Sequence, residues 1–474
     1  MAVKLKITAH PIMIFYYLKP FWFVLIIPLI KAIVSAVIKA EVNNVLLNEL
    51  FISVVLITYS VIKWKKLKIN ISSDFIEIYL GVVRRRYANI PINKISTIET
   101  TKSPLDYIFG TQKVKINTEA GKQGSADFWF KLNVGDVKKV TELYPEKVTP
   151  KTIKFSAVRV AVMAATSSSA FTGIVLVVPI INQAVRLLGT AVTDLLLDRI
   201  NKIGQLFSKF MPPVVNTVTV VFLISYFIAF LISFFKSVNF KVVFAGKKTG
   251  VFSGLLVLRK VLFNTKSVNS VCIEQTPLMR FFARYLLRVG IGGYGNRKGD
   301  RAVVVPSAKR DEVHELFSVL FPKFEPADNK IKPHKNTRWR FYYLPTLFLA
   351  VSVILYLVLS YSFPVFKGLI SFGFIVTACV LAYYYSLAEY NTKHSCISVA
   401  PVIYANYTRW SATREMFCEH NRIGIIHITR WPVDKRKNTC NVRLTVRSEA
   451  AESITVKHIS YNELTDEIKS LYQI

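Results

Sequence analysis

Apolar residues follow two regimes along this chain. In the first they pool into runs near the roughly 20 residues that cross a bilayer as a helix. Six runs stand out, at 12–38, 45–62, 158–178, 214–235, 341–360 and 368–387. In the second they alternate with polar residues, the period of a half-buried strand. Phe75, Ile76, Ile78 and Leu80 lead to Gly81, the stretch Ile90 to Ile98 alternates, and Val114 with Ile116 and Phe128 with Phe130 do the same. The alternation then gives way to a helical step: Val134, Val137, Val140 and Leu143 recur every three residues before Pro145. The same change of period closes two later segments, at 311–321 and 462–472. The pattern predicts an α+β membrane protein. Six transmembrane helices form three hairpins, and each hairpin is followed by a small β-sandwich or barrel capped by a C-terminal helix.

The predicted organisation is as follows. Residues 1–66 are an N-terminal segment and the first hairpin, 67–147 the first soluble unit, and 148–238 the second hairpin. Residues 239–322 are the second unit, 323–389 a basic linker and the third hairpin, and 390–474 a divergent third unit. The second hairpin differs from the others in carrying a long connection at 180–211. There Ile181, Val185, Leu188, Val192, Leu196, Ile200, Ile203 and Phe207 step by three and four, so an external amphipathic helix or helical hairpin is expected. It serves either as a simple connection or as an interaction surface.

The soluble units repeat one stretch. Lys94-Ile95, Ser267-Val268 and Arg422-Ile423 are followed at the same distance by Pro104, Pro277 and Pro432; the steps from the first copy are 173 and 328 at both places. Ala283 takes the position of Gly110. The run Arg84-Arg85-Arg86 is matched by Leu258-Arg259-Lys260 and by Thr413, Arg414 and Glu415, with offsets that slip by about a residue.

Charge adds orientation. The chain carries 62 Lys and Arg against 29 Asp and Glu, a net charge of +33. A basic surface can meet nucleic-acid phosphates or an anionic leaflet. The spans between the basic segments favour the leaflet, and no nucleic-acid partner is assigned. Lys63-Trp64-Lys65-Lys66 and Arg338-Trp339-Arg340 read as membrane-interface anchors, cations around an aromatic residue at a cytoplasmic boundary. Six spans behind a basic N-terminus place both termini and all three units in the cytoplasm of a multi-pass protein. Lys31, near the end of a run, is expected to snorkel to the interface. Five cysteines without a CxxC pair fit a reducing compartment and no metal site.

The first unit resembles the bacterial pleckstrin-homology domain of the second type, formerly a domain of unknown function. The matching features are a strand, Gly81, Arg84-Arg85-Arg86, Ile90-Pro91-Ile92-Asn93-Lys94-Ile95, Ser103-Pro104-Leu105 and Phe109-Gly110 before another strand. His10-Pro11, two spans and this domain, repeated as a module, resemble YdbT-like membrane proteins. The resemblance implies a seven-stranded pleckstrin-homology-like sandwich or barrel closed by a helix. It also implies a non-enzymatic protein and, by analogy, a partner such as a shorter relative with a single such domain.

Candidate chemistry is sparse. Arg84, Arg85 and Arg86 are the candidate lipid-headgroup residues. Alternate residues on a strand point to opposite faces, so Arg84 and Arg86 are expected to share a face and Arg85 to oppose them. The alternative is a basic domain without a specific site. Gly290-Ile291-Gly292-Gly293-Tyr294-Gly295 leads into another strand rather than a helix, so it reads as a turn and not a phosphate loop. No catalytic residue, metal ligand or cofactor is assigned. The expected function is a membrane scaffold whose units engage partner proteins or anionic lipid. The alternative is a subunit of a translocation or lipid-handling complex, linked to tolerance of membrane-active agents.

Overall fold

The computed structural model of the chain describes residues 5–38, 44–118, 127–142, 151–168, 175, 198–199, 202, 213–246, 248–294, 301–325, 330–334, 337–399, 402–446 and 452–472. In chain order, β1 (Leu5–Thr8) is followed by α1 (Met13–Leu18), α2 (Trp22–Ile38) and α3 (Asn44–Lys66). Then come β2 (Lys68–Ile71), β3 (Phe75–Leu80), β4 (Arg86–Pro91), β5 (Ile95–Lys102), α4 (Pro104–Ile108), β6 (Thr111–Thr118), β7 (Phe128–Asn133) and α5 (Val134–Glu142). The second module runs β8 (Lys151–Lys154), α6 (Ala157–Ser167), α7 (Pro213–Ser237), β9 (Lys241–Ala245), β10 (Lys248–Ser253), β11 (Leu258–Asn264) and β12 (Val268–Gln275). It closes with α8 (Pro277–Phe281), β13 (Tyr285–Ile291), β14 (Ala302–Ala308) and α9 (Arg310–Leu320). The third has α10 (Arg340–Ser362), α11 (Lys367–His394), β15 (Cys396–Ser398), β16 (Val402–Arg409), β17 (Ala412–Glu419) and β18 (Ile423–Thr429). It ends with α12 (Pro432–Arg436), β19 (Thr439–Val446), β20 (Glu452–Ser460) and α13 (Tyr461–Tyr472).

The architecture is α+β with several sheets. Among the described residues four helices are long and apolar enough to cross a membrane: Leu47–Lys66, Thr219–Ser237, Arg340–Ser362 and Pro364–His394. Of the first and third expected spans, Met13–Pro28 and Ala157–Ser167 are shorter apolar helices; α2 carries the first run on to Ile38, and residues 169–174 and 176–178 of the third lie outside those described. The amphipathic connection expected at 180–211 lies outside the described residues, residues 198–199 and 202 excepted. Lys31 Nζ lies 2.9 Å from Glu49 Oε1, across the first hairpin.

Each hairpin is inserted within a unit rather than placed before it. β1 precedes the first hairpin yet pairs antiparallel with β2 after it, and β8 pairs with β9 across the second hairpin. Ile331 makes the matching bridge to Ile397 ahead of the third. Side-chain alternation explains the pairing. Leu5, Ile71, Ile76 and Ile90 face one another across four strands, and Ile7, Ile69 and Ile78 across three. All but Leu5 are buried. Each fully buried isoleucine contributes about 1.5–3 kcal/mol, so β1 is held by the core it completes.

The units also share sheets. One four-stranded sheet runs β1-β2-β3-β4, and a seven-stranded sheet runs β7-β6-β5-β11-β10-β9-β8. A six-stranded sheet runs β14-β13-β12-β17-β16-β15, and β18-β19-β20 form the last. The back half of one unit is thus hydrogen-bonded to the front half of the next. The cores follow suit. Leu262 of the second unit packs on the first core, and Phe417 of the third stacks 4.4 Å from Phe317 of the second.

The repeat is reproduced in the backbone. A short 3-10 turn, a strand and a one-turn helix beginning at proline recur at Ile92–Lys94, Thr265–Ser267 and His420–Arg422 and onward. Gly110, Ala283 and Asn438 all take left-handed conformations, with φ of 62°, 48° and 49°.

Candidate anion-binding cleft at the base of the first hairpin

The four-stranded sheet has an outer face as regular as its inner one. Thr8 faces Lys68, Lys68 faces Tyr79, and Tyr79 faces Tyr87, all exposed. The two tyrosine rings lie 4.9 Å apart. The next row holds Lys6, Asn70, Glu77 and Asn89. Here Asn70 Nδ2 donates to Glu77 Oε2 at 3.0 Å and the Tyr87 hydroxyl to Glu77 Oε1 at 3.4 Å. Glu77 is 7% exposed, so its charge is occupied beneath the face rather than displayed on it.

Above this face is a cleft of about 910 Å³. It is lined by Lys6 from β1, Lys65 and Lys66 from the end of α3, and Lys68 and Asn70 from β2. Tyr79, Leu80, Gly81, Arg85, Arg86 and Tyr87 complete it with Ile7 and Thr8. Six cations converge, and no carboxylate is among the lining residues. Such an array can take an anion through charge-assisted hydrogen bonds, with tyrosine hydroxyls as further donors.

Gly81 sets the rim. Its φ is 99°, and a Cβ there would lie 2.0 Å from the Arg84 carbonyl oxygen. Only glycine allows this turn. The arginines do not alternate on one strand as the sequence pattern implied. Arg84 and Arg85 lie in the turn, Arg86 opens β4, and Arg85 and Arg86 line the cleft while Arg84 does not. Gly254 repeats the turn, its Cβ position 1.9 Å from the Val257 carbonyl oxygen. Leu80 pairs with Arg86 as Ser253 pairs with Arg259. Arg86 is therefore the counterpart of Arg259.

The residues read as interface anchors hold the bases of hairpins. Trp64 Nε1 donates to the Ala9 carbonyl at 2.7 Å, tying the end of the first hairpin to its start, and Lys63 Nζ sits 4.3 Å over the Tyr17 ring. Lys65 and Lys66 belong to the cleft. In the third module Arg338 is exposed, Trp339 is 55% exposed with Lys437 Nζ 5.5 Å over its ring, and Arg340 is ion-paired with Asp434.

Lys6 and Lys68 were not singled out from the sequence. A signal was present: Lys4-Leu5-Lys6-Ile7-Thr8 and Lys66-Leu67-Lys68-Ile69-Asn70 are near copies on either side of the hairpin. The glycine stretch is the end of β13 and a turn; Gly293 has φ 71°, and Gly295 lies outside the described residues. Burial pushes the Cys418 thiol up to about 12 and that of Cys440 up to about 11, which keeps both protonated.

Residues 14–148 match a family described as the bacterial PH domain. The chain is similar to the UPF0699 transmembrane protein YdbT of Bacillus subtilis (strain 168), with 20% identity over 310 residues, 58% of this chain and 60% of that one. The match thus spans less than two thirds of the curated relative's length. No solved structure matches.

Proposed function

We propose that this YdbT-like membrane protein, which carries a bacterial PH domain, is a non-enzymatic scaffold of the cell envelope whose first unit holds anionic lipid headgroups. In this reading six spans form three hairpins, and both termini and the three pleckstrin-homology-like units lie in the cytoplasm. Lys63-Trp64-Lys65-Lys66 and Arg338-Trp339-Arg340 mark the membrane boundary. The other units engage proteins, a shorter single-domain relative among them.

The observation that carries the reading is where the cleft sits. Lys65 and Lys66 end an apolar helix and line the cleft at the same time. An anion bound there lies within about one helical turn of the membrane end of the helix, at headgroup height. The leaflet potential adds about 1 kcal/mol of attraction per cation near the surface.

The test uses the full chain in detergent, with short-chain phosphatidylglycerol, short-chain phosphatidylcholine and inorganic phosphate as separate probes. Combining Lys6→Gln, Lys68→Gln, Arg85→Gln and Arg86→Gln is expected to lower phosphatidylglycerol binding at least about tenfold, since each charge-assisted bond is worth about 1.5–3 kcal/mol. Phosphatidylcholine binding is expected to stay unchanged. Equal loss of both, or no loss, refutes the site. Displacement of the lipid by phosphate alone assigns the cleft to a soluble anion instead.

A further inference from the structure

Two junctions inside the chain show how one unit receives the next. β11 adds antiparallel to β5, and β17 adds antiparallel to β12. Each junction carries an arginine of the incoming strand on a buried glutamate of the receiving strand. Arg259 Nε donates to Glu99 Oε1 at 2.8 Å, and an Arg414 guanidinium nitrogen to Glu274 Oε1 at 2.8 Å. Glu99 and Glu274 are each 4% exposed. β4 is the first unit's member of the incoming set, with Arg86 in the place of Arg259. Among the described residues β4 pairs with β3 alone. At the far end β18, the third unit's member of the receiving set, pairs with β19 alone.

We propose that β4 is an open junction: it takes an antiparallel strand from another polypeptide, and a carboxylate of that strand pairs with Arg86. An exposed sheet edge is a ready template for such addition, and the chain performs the addition twice within itself.

The occupant is not a second copy joined end to end. Arg259 faces Thr101 and Leu258 faces Lys102. The step of 328 that relates the first and third units carries Thr101 to Thr429, Lys102 to Arg430 and Glu99 to His427. A β4–β18 contact in this register sets Arg85 against Arg430. It also offers Arg86 a histidine where Arg259 has Glu99. Like charges directly opposite on neighbouring strands are destabilising. The fitting strand resembles β5 instead, apolar and β-branched with an acid where Glu99 stands.

The test uses the full chain in nanodiscs, with Cys379→Ser to remove the exposed native thiol and Asn89→Cys on β4. The probe is a synthetic peptide of residues 95–102. Leu262, the counterpart of Asn89, faces Ile98, so Ile98→Cys in the peptide is in register. With oxidised glutathione supplied as the two-electron oxidant, its disulfide with Asn89→Cys is expected to form at least about tenfold faster than that of a Thr97→Cys peptide. Adding Glu99→Gln to the peptide or Arg86→Gln to the protein is expected to slow it by about tenfold, the loss of one charge-assisted bond. Equal rates for the two peptides overturn the proposal and leave the arginines as edge protection. Inter-chain disulfides in a full-length Asn89→Cys, Ile426→Cys variant also overturn it, in favour of a second copy. Lys6→Gln with Lys68→Gln is expected to weaken lipid binding and leave the cross-linking rate unchanged, so the lipid reading and this one fail separately.

Discussion

In the first unit α4 buries Asp106, and at the same place α8 of the second unit buries Met279. The backbones agree down to the left-handed residue that follows, Gly110 in one and Ala283 in the other. The chemistry does not agree. Asp106 accepts from the Ser103 amide at 2.8 Å and from Thr111 at 2.8 Å, and is ion-paired with Lys131. Lys131 in turn lies 5.0 Å from the Tyr16 ring of α1. The third unit restores the acid as Asp434 but draws its cation from Arg340 at the start of α10. Thr111 faces Asn133 as Thr439 faces Ser460, but the third unit's register then shifts between Cys440 and Val442, so Lys457 and His458, the latter with φ 61°, together take the place of Lys131. In units one and three, then, a buried acid ties the turn to the base of the hairpin. In unit two, apolar packing does this work, and Arg280 reaches the Ser386 carbonyl of α11 at 3.3 Å. The repeat preserves a backbone path and leaves each unit to fill it.

The sharpest way to break this comparison is Lys131→Met. It strands Asp106, 1% exposed, without its cation, and is expected to cost about 3–5 kcal/mol. Hydrogen exchange at β6 and β7 in the full chain reads the loss. Adding Asp106→Met, which reproduces the second unit's solution, is expected to recover most of it. No recovery would show that the ion pair does more than fill the site.

A smaller effect separates the first unit from the third by pH. Burial, and then the neighbouring Arg340, push His458 down to about 4. Its unfolded value is about 6.5, so the folded state favours the neutral ring. The stability this represents is present above pH 6.5 and is lost as pH falls toward 4, on the order of 2 kcal/mol after solvent screening is allowed for. Protonated His458 would also push Arg340 off Asp434. Exchange at β19 and β20 is expected to rise over that window, and His458→Asn to remove the rise. For Asp106 and Asp434, burial raises the pKa, but the surrounding donors and cations hold both below their ordinary value of 3.8. Their contributions are therefore lost only at lower pH, outside the window.

The smallest effect tests the shared backbone. A Cβ on Gly110 meets nothing within 4 Å, so Gly110→Ala carries only the conformational cost of the left-handed region, about 1 kcal/mol. Ala283→Gly should return a similar amount to the second unit. Exchange at β6 and β13 measures both.

Much of this was legible from the chain. The long runs at 341–360 and 368–387 are helices, the alternation Ile76–Ile78 is an inner-face row, and the repeat step of 173 holds from the 3-10 turns to the proline helices. These are local: a period of two or a run of apolar side chains states its own element. The faces of Arg84 and Arg85 were misread because a five-residue turn, enforced by Gly81, replaces the strand there.

What the sequence determined by itself was the kind of most elements and the fact of repetition, since both rest on spacing within a few residues or on a constant offset. The tertiary structure decided which elements meet. Lys6 joins Lys68 in one cleft only because β1 pairs across an inserted hairpin, and Arg259 reaches Glu99 only because one unit's strand completes another unit's sheet. Strand edges are alike in sequence and carry no address. Pairing across 60 or 160 residues is chosen by the core each strand completes, which exists only once the chain has folded.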